Sequence, residues 1–169
     1  MSGLQINISK LAEGVHHYSL ETEPREIELG ERFTTTVRVR VELEKSAGSL
    51  VLRGELHTLG EFTCDRCLEE FGKEVATTYS VAYLPEGRMP EDSEEKGELQ
   101  PLSPFTNMLD LGEDVRQYLL LALPIKMLCR DDCLGLCPVC GTNRNRNVCQ
   151  CSAEEIDSRW SGLKDLFEN

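Results

Sequence analysis

Six of the eight cysteines in this 169-residue chain fall between Cys129 and Cys151, as Cys129-x3-Cys133-x3-Cys137-Pro-Val-Cys140-Gly-x7-Cys149-Gln-Cys151. The other two form a lone upstream pair, Cys64-Asp-Arg-Cys67. Thiolates at such short spacings can converge on one soft cation, and few other chemistries need that convergence. Zn2+ takes four ligands tetrahedrally, at about 2.3 Å from each sulfur. The strongest local signal is Cys137-Pro138-Val139-Cys140-Gly141. Pro138 fixes φ, and Gly141 lets the backbone fold beneath a metal.

The spacing favours Cys137, Cys140, Cys149 and Cys151 as the best single ligand set. Cys149-x-Cys151 is tighter than the usual two-residue interval, so Cys129 or Cys133 is an alternative to one of that close pair. With the favoured set, Cys64, Cys67, Cys129 and Cys133 are left for a second site that ties an upstream hairpin to the later segment. One or two structural Zn2+ ions are therefore expected, and spacing alone leaves the partition open. A structural zinc site contributes about 10–16 kcal/mol of apparent binding energy. That rivals a domain's whole net stability of roughly 5–15 kcal/mol.

Length allows one domain with an appendage, or two small modules. No apolar run approaches the roughly 18 residues of a membrane span. Met1 to Leu11 lacks the basic and apolar regions of a secretory signal. Thiols without an export signal point to a reducing cytoplasm, where clustered cysteines are metal ligands more often than disulfides. The formal charge is −12. Nucleic-acid affinity comes largely from Lys and Arg neutralising phosphates, so any RNA contact has to use a local basic patch.

Apolar residues alternate from Phe33 through Val37, Val39 and Val41 to Leu43. A turn at Ser46-Ala47-Gly48-Ser49 leads to a second run, with Leu50, Leu52, Gly54, Leu56, Thr58 and Phe62 on one face. A third places Phe71, Val75, Thr77, Tyr79, Val81 and Tyr83 inward. Three period-two runs with short connections predict an antiparallel meander, curled or closed into a barrel-like sheet. Two weaker runs, Gln5 to Ile8 and Val15 to Leu20, are candidate edge strands. Glu86 to Glu98, rich in acids, is expected to be a solvated loop. Asp110 is the expected cap of a helix to about Leu123, with Val115, Tyr118, Leu119 and Ala122 as its apolar stripe. Ser152-Ala153-Glu154-Glu155 opens a short C-terminal helix by a capping-box pattern, with Ile156, Trp160, Leu163 and Phe167 on one face. The fold class is thus α+β. The expected parts are an antiparallel β domain over 1–84, an acidic loop over 85–104, a helix packing on the sheet over 105–128, and a zinc-ribbon-like tail with a short helix over 129–169.

Catalytic signatures are missing. There is no P-loop, G-x-S-x-G, H-E-x-x-H or dinucleotide fingerprint, and His16, His17 and His57 fit no zinc-deaminase pattern. Cys64 and Cys67 follow an antiparallel strand, whereas a thiol oxidoreductase places Cys-x-x-Cys at a helix N-terminus. The chain is expected not to be an enzyme. One loop, Asn143-Arg144-Asn145-Arg146-Asn147, offers guanidinium and amide groups suited to phosphates and base edges. Arg144 and Arg146, with Asn143 and Asn145, are its candidate RNA contacts, and Arg38, Arg40 and Arg53 on outward strand positions are candidate extensions.

Taken in order, several motifs resemble one family. They are Cys64-Asp-Arg-Cys67, Leu121-Ala122-Leu123-Pro124, Cys133-Leu-Gly-Leu-Cys137-Pro-Val-Cys140-Gly-Thr-Asn, Cys149-x-Cys151 and Asp157-Ser-Arg-Trp160. Their combination is similar to the YceD family of large ribosomal RNA subunit accumulation proteins. The resemblance implies a cytoplasmic bacterial factor, without agreed catalytic residues, linked to accumulation or processing of large-subunit rRNA. Acidic surfaces steer basic partners. The expected contact with the rRNA or its precursor particle therefore runs through a basic ribosomal protein or an assembly factor, with no membrane and no small-molecule substrate. Two other functions fit the residues: a zinc-dependent protein-binding module unrelated to rRNA, and a Cys-x-x-Cys thiol redox protein.

Overall fold

Side chains that alternate inward and outward give a strand one apolar face, and such strands must share that face to bury it. The computed structural model, described over residues 3–88 and 99–151, assembles its main sheet in this way. The strands are β1 (Gln5–Asn7), β2 (Gly14–Thr22), β3 (Val37–Ser46), β4 (Ser49–Thr63), β5 (Glu70–Pro85), β6 (Leu99–Leu102) and β7 (Met108–Asp110), and α1 spans Gly112–Leu121. Short 3-10 turns lie at Pro24–Ile27 and Glu86–Arg88. No helix among the described residues is long and apolar enough to cross a membrane.

Two compact units share the chain. The first comprises Met1–Phe62 and Glu70–Met127, and the second comprises Thr63–Glu69 and the chain from Leu128. The first unit holds a five-stranded sheet ordered β2-β3-β4-β5-β6. β3 pairs antiparallel with both β2 and β4. Ala47 and Gly48 join β3 to β4 at φ 47° and 81°. Two consecutive positive φ values are what a tight hairpin turn needs to match strand twist. Val37, Val39, Val41 and Leu43 of β3 are buried with Leu50, Leu52 and Leu56 of β4. Across the sheet, Tyr79 lies over Gly54, where an added Cβ would collide with the ring. The same ring stacks on Tyr118 of α1, with centroids 4.8 Å apart. Val115 and Leu119 carry α1 into the core, fully buried.

Five expectations change. The sheet is open, with β2 and β6 at its edges, not closed into a barrel. It is also mixed, because β6 runs parallel to β5 and occupies part of the stretch expected to be an acidic loop. The first long strand begins at Val37, not Phe33, which makes only an isolated bridge to Gly60. Of the weak N-terminal runs, Val15 to Leu20 lies within β2 of the main sheet, whereas β1 pairs with β7 in a separate two-stranded ribbon. Asp110 lies one residue before the helix N-cap, yet its Oδ1 accepts the Gly112 N–H at 2.9 Å. The expected C-terminal helix and residues 89–98 lie outside the described residues.

Candidate metal centres

The second unit is built from the tip of the β4–β5 hairpin and the chain after Leu128. At the tip, the Leu68 N–H donates to the Cys64 carbonyl at 2.9 Å, and the Cys64 N–H to the Glu69 carbonyl at 2.9 Å. Downstream, the Gly141 N–H donates to the Cys137 carbonyl at 2.9 Å. The two Cys-x-x-Cys loops therefore close with the same bond, four residues on from the first cysteine. In both, the closing residue is left-handed, Leu68 at φ 59° and Gly141 at 72°.

The likeness extends to the sulfurs. Cys64 Sγ receives the N–H groups of Arg66 and Cys67, and Cys137 Sγ those of Val139 and Cys140. Cys67 is approached by the Glu69 N–H and Cys140 by the Thr142 N–H, each two residues on. Amides aimed at sulfur stabilise thiolate, the form that binds metal. These are two copies of one thiolate-presenting turn.

Each turn meets a second pair of cysteines. Cys64 and Cys133 sulfurs lie 3.8 Å apart, and those of Cys67 and Cys129 lie 3.7 Å apart. All four are within 4.8 Å of one another, as are the sulfurs of Cys137, Cys140, Cys149 and Cys151. A tetrahedral centre with metal–sulfur bonds of about 2.3 Å places its sulfurs about 3.8 Å apart. The residues present fit a four-thiolate ion at both places. The structure thus gathers the favoured set and, separately, the four cysteines left for a second site. No histidine joins either group among the described residues.

Protonation divides the sulfurs within each group. Burial raises the Cys64 thiol, but the amides of Cys129, Cys67 and Arg66 overcome it and bring the pKa to about 6. Cys133 is also lowered: burial opposes ionisation, while the Asn145 amide and Gly135 N–H favour it. At Cys67 the Glu69 N–H lowers the pKa, but burial and the neighbouring Cys64 and Cys133 sulfurs outweigh it, and the net shift is upward. Cys129 is pushed up to about 12 by burial and by the surrounding sulfurs. In the other group Cys137 is lowered, chiefly by the Cys140 and Val139 amides. Thr142 brings Cys140 to about 6, and Cys151 is pushed up to about 12, first by its bond to Cys140. Crowded sulfurs cannot all ionise alone, and a divalent cation removes that conflict.

The loop after Cys140 serves the neighbouring group. Asn145 Oδ1 accepts the Leu134 N–H at 2.8 Å and the Arg130 guanidinium at 2.7 Å, while its Nδ2 donates to Cys133 Sγ at 3.3 Å. Asn143 Oδ1 accepts both the backbone N–H and the side-chain amide of Asn145, each at 2.9 Å. Arg146 pairs with Glu69 at 2.6 Å. Arg144 makes no ion pair among the described residues. Of the four candidate RNA contacts, three are engaged inside the unit and Arg144 alone presents an uncommitted charge. The outward arginines do not add to it. Arg53 faces Glu42 at 3.0 Å and Glu44 at 3.8 Å, Arg40 faces Glu55 at 4.0 Å, and Arg38 bonds His57, which in turn bonds Glu74.

Residues 52–167 match the family described as Large ribosomal RNA subunit accumulation protein YceD. The match covers more than half of the chain and contains every cysteine of both groups. The chain belongs to the YceD family. A YceD relative is the Arabidopsis thaliana protein named Large ribosomal RNA subunit accumulation protein YCED homolog 1, chloroplastic, 25% identical over 79% of this chain and 49% of its own. Its Zea mays namesake is 22% identical over 79% of this chain and 54% of its own. An uncharacterized protein of Mycobacterium tuberculosis is 36% identical over 65% of this chain and 51% of its own. The chain spans about half the length of these curated relatives. No solved structure matches it.

Proposed function

We infer that this YceD-family chain is a non-catalytic ribosome-biogenesis factor that supports accumulation of large-subunit rRNA, with Zn2+ in both cysteine groups as architecture. The observation that carries the reading is the family match over residues 52–167, which takes in both thiolate turns. The wording of the Arabidopsis relative's name supports the rRNA link. Four thiolates with sulfurs 3.7 and 3.8 Å apart suit zinc, whose filled d shell accepts the tetrahedron without preference. Eight cysteines kept as thiols suit a reducing compartment such as the cytoplasm.

Charge supports an indirect contact with RNA. At −12 overall, and with Arg38, Arg40 and Arg53 matched to local partners, the protein favours a basic ribosomal protein or assembly factor over phosphate. Arg144 then supplies a local touch to the rRNA. Burial of Cys64 and Cys67 favours architecture over thiol redox exchange. Affinity purification of the tagged chain, with and without RNase, tests the reading. Large-subunit precursor particles should co-purify and be lost on RNase treatment. Recovery of partners with no ribosomal component, indifferent to RNase, overturns it in favour of a general protein-binding module.

A further inference from the structure

The two cysteine groups share a turn geometry but differ in how their ligands are protected. In the first group Cys64, Cys67 and Cys133 are buried and Cys129 is half-buried. In the second only Cys137 is buried, Cys149 is half-buried, and Cys140 and Cys151 stand exposed. Thiolate ligands are displaced one at a time by an incoming chelator or thiol, which needs a sulfur it can reach. Cys140 gives that access.

The chain paths differ as well. The first group joins Cys64 to Cys133 and Cys67 to Cys129 across 69 and 62 residues. Its ion fastens segments far apart in the chain, adding to the Leu136 N–H bond to the Arg66 carbonyl, the Arg66 guanidinium on the Cys133 carbonyl and the Arg146–Glu69 pair. The second group draws all its ligands from the continuous segment Cys137 to Cys151, so losing its ion releases only a short loop. That loop carries Asn145, whose Nδ2 donates to Cys133 Sγ in the first group. Both ends of the loop are ligands of the second group, Cys140 and Cys149.

We propose that the two groups divide metal binding. The Cys64, Cys67, Cys129 and Cys133 site keeps its ion as a permanent fastening. The Cys137, Cys140, Cys149 and Cys151 site exchanges a thiophilic divalent cation with the surroundings, and Asn145 reports the state of this exchangeable site to the permanent one. With the second site filled, its ligands pin the loop and hold the Asn145 amide on the Cys133 sulfur. When it empties, the loop ends are freed and the first site loses an outer donor. Outer partners of this kind are worth about 10–100-fold in metal affinity. The coupling is reciprocal, so an intact first site also favours refilling of the second. Asn145 is thus a positioning residue. The inference rests on the reading of both groups as zinc sites.

The test uses the full chain loaded with zinc. Elemental analysis should give two ions per chain, and excess chromogenic chelator should remove them in two equal phases separated by more than tenfold in rate. Cys140→Ser should abolish the fast phase. Asn145→Ala should speed the slow phase by about 10–100-fold and leave the fast phase in place. Asn145→Asp keeps the oxygen that holds Leu134 and Arg130 but removes the donor, so it should speed the slow phase even where the alanine variant loosens the loop. In cadmium-substituted protein the Asp variant should move one of two cadmium resonances. Fewer than two ions per chain overturns the zinc reading itself. Two ions leaving in a single phase, or a slow phase unmoved in both Asn145 variants, overturns only the division of labour.

Discussion

Cys64 and Cys133 bring their sulfurs to 3.8 Å although 69 residues separate them in the chain. The hydrophobic core of the first unit includes none of the eight cysteines. Stripping the metal should therefore unravel one unit and spare the other. Hydrogen exchange on chelator-treated protein should show the amides of Leu68, Leu136, Cys137 and Gly141 losing protection while β3 and β4 keep theirs. Equal loss in both units would mean that the sheet also depends on the ion.

The paired turns make a reciprocal prediction. Gly141 sits at φ 72° with no neighbour near a would-be Cβ, so Gly141→Ala meets backbone strain and no clash. The left-handed conformation costs a side-chain-bearing residue about 1–2 kcal/mol. Gly141→Ala should thus weaken the second site by roughly tenfold. Leu68 already bears that cost with an exposed side chain, so Leu68→Gly should leave the first site as strong or stronger. Metal-competition titration of the two variants checks both.

In metal-free protein the exposed Cys140 should be the first thiol alkylated at neutral pH. Its pKa is lowered to about 6, so thiolate dominates above that value and disappears as the pH falls through it. Cys151, pushed up to about 12, stays a thiol and reacts slowly at neutral pH. Peptide mass spectrometry after timed iodoacetamide treatment should give a Cys140 rate with a midpoint near 6. Metal loading should suppress it, and equal rates at Cys140 and Cys151 would contradict the assignment.

Tyr79 is wedged between Gly54 and Tyr118, so it cannot retreat from an added methyl. Gly54→Ala should cost about 1–3 kcal/mol through overpacking. Tyr79→Phe should do the opposite. The Tyr79 hydroxyl is buried without a hydrogen-bond partner among the described residues, and removing such a group relieves about 1 kcal/mol or more. Urea denaturation midpoints would show the two variants moving in opposite directions.

Arg144→Ala should reduce co-purification of large-subunit rRNA several-fold. Arg53→Ala and Arg40→Ala should leave it unchanged, because those side chains face carboxylates on the sheet surface. Their stability should shift by less than about 1 kcal/mol, as for other exposed ion pairs. Quantitative recovery of rRNA from the three variants separates a local contact from a diffuse one. A loss shared equally by all three would reject the single-contact picture.

Strands β3, β4 and β5 were legible because burial of a single face writes period two into the chain, and Ser46-Ala47-Gly48-Ser49 marked the turn between the first two. The clustering of Cys137, Cys140, Cys149 and Cys151 was legible because they are near in sequence. The other set follows only by subtraction, since Cys64 and Cys129 meet through the hairpin's tertiary placement. β6 was hidden: Leu99–Leu102 spans four residues, includes Pro101 and adjoins an acidic run, so no alternation shows. β1 and β7 span three residues each, too short for a period. Asn145 was missed as a partner of Cys133 because asparagine between cysteines looks like turn chemistry. Its acceptors and donors belong to Arg130, Leu134 and Cys133, which only the folded loop brings beside it.

On the proposed zinc reading, a fastening that spans 62 and 69 residues also sets a timetable for synthesis. At about 5–20 residues per second, Cys64 and Cys67 leave the ribosome several seconds before Cys129 and Cys133 follow. During that interval the hairpin tip is half a binding site, able to grip a passing ion with two sulfurs but not to enclose it. The nascent chain must therefore reach Cys133 before its earliest thiolates are safe from the wrong metal.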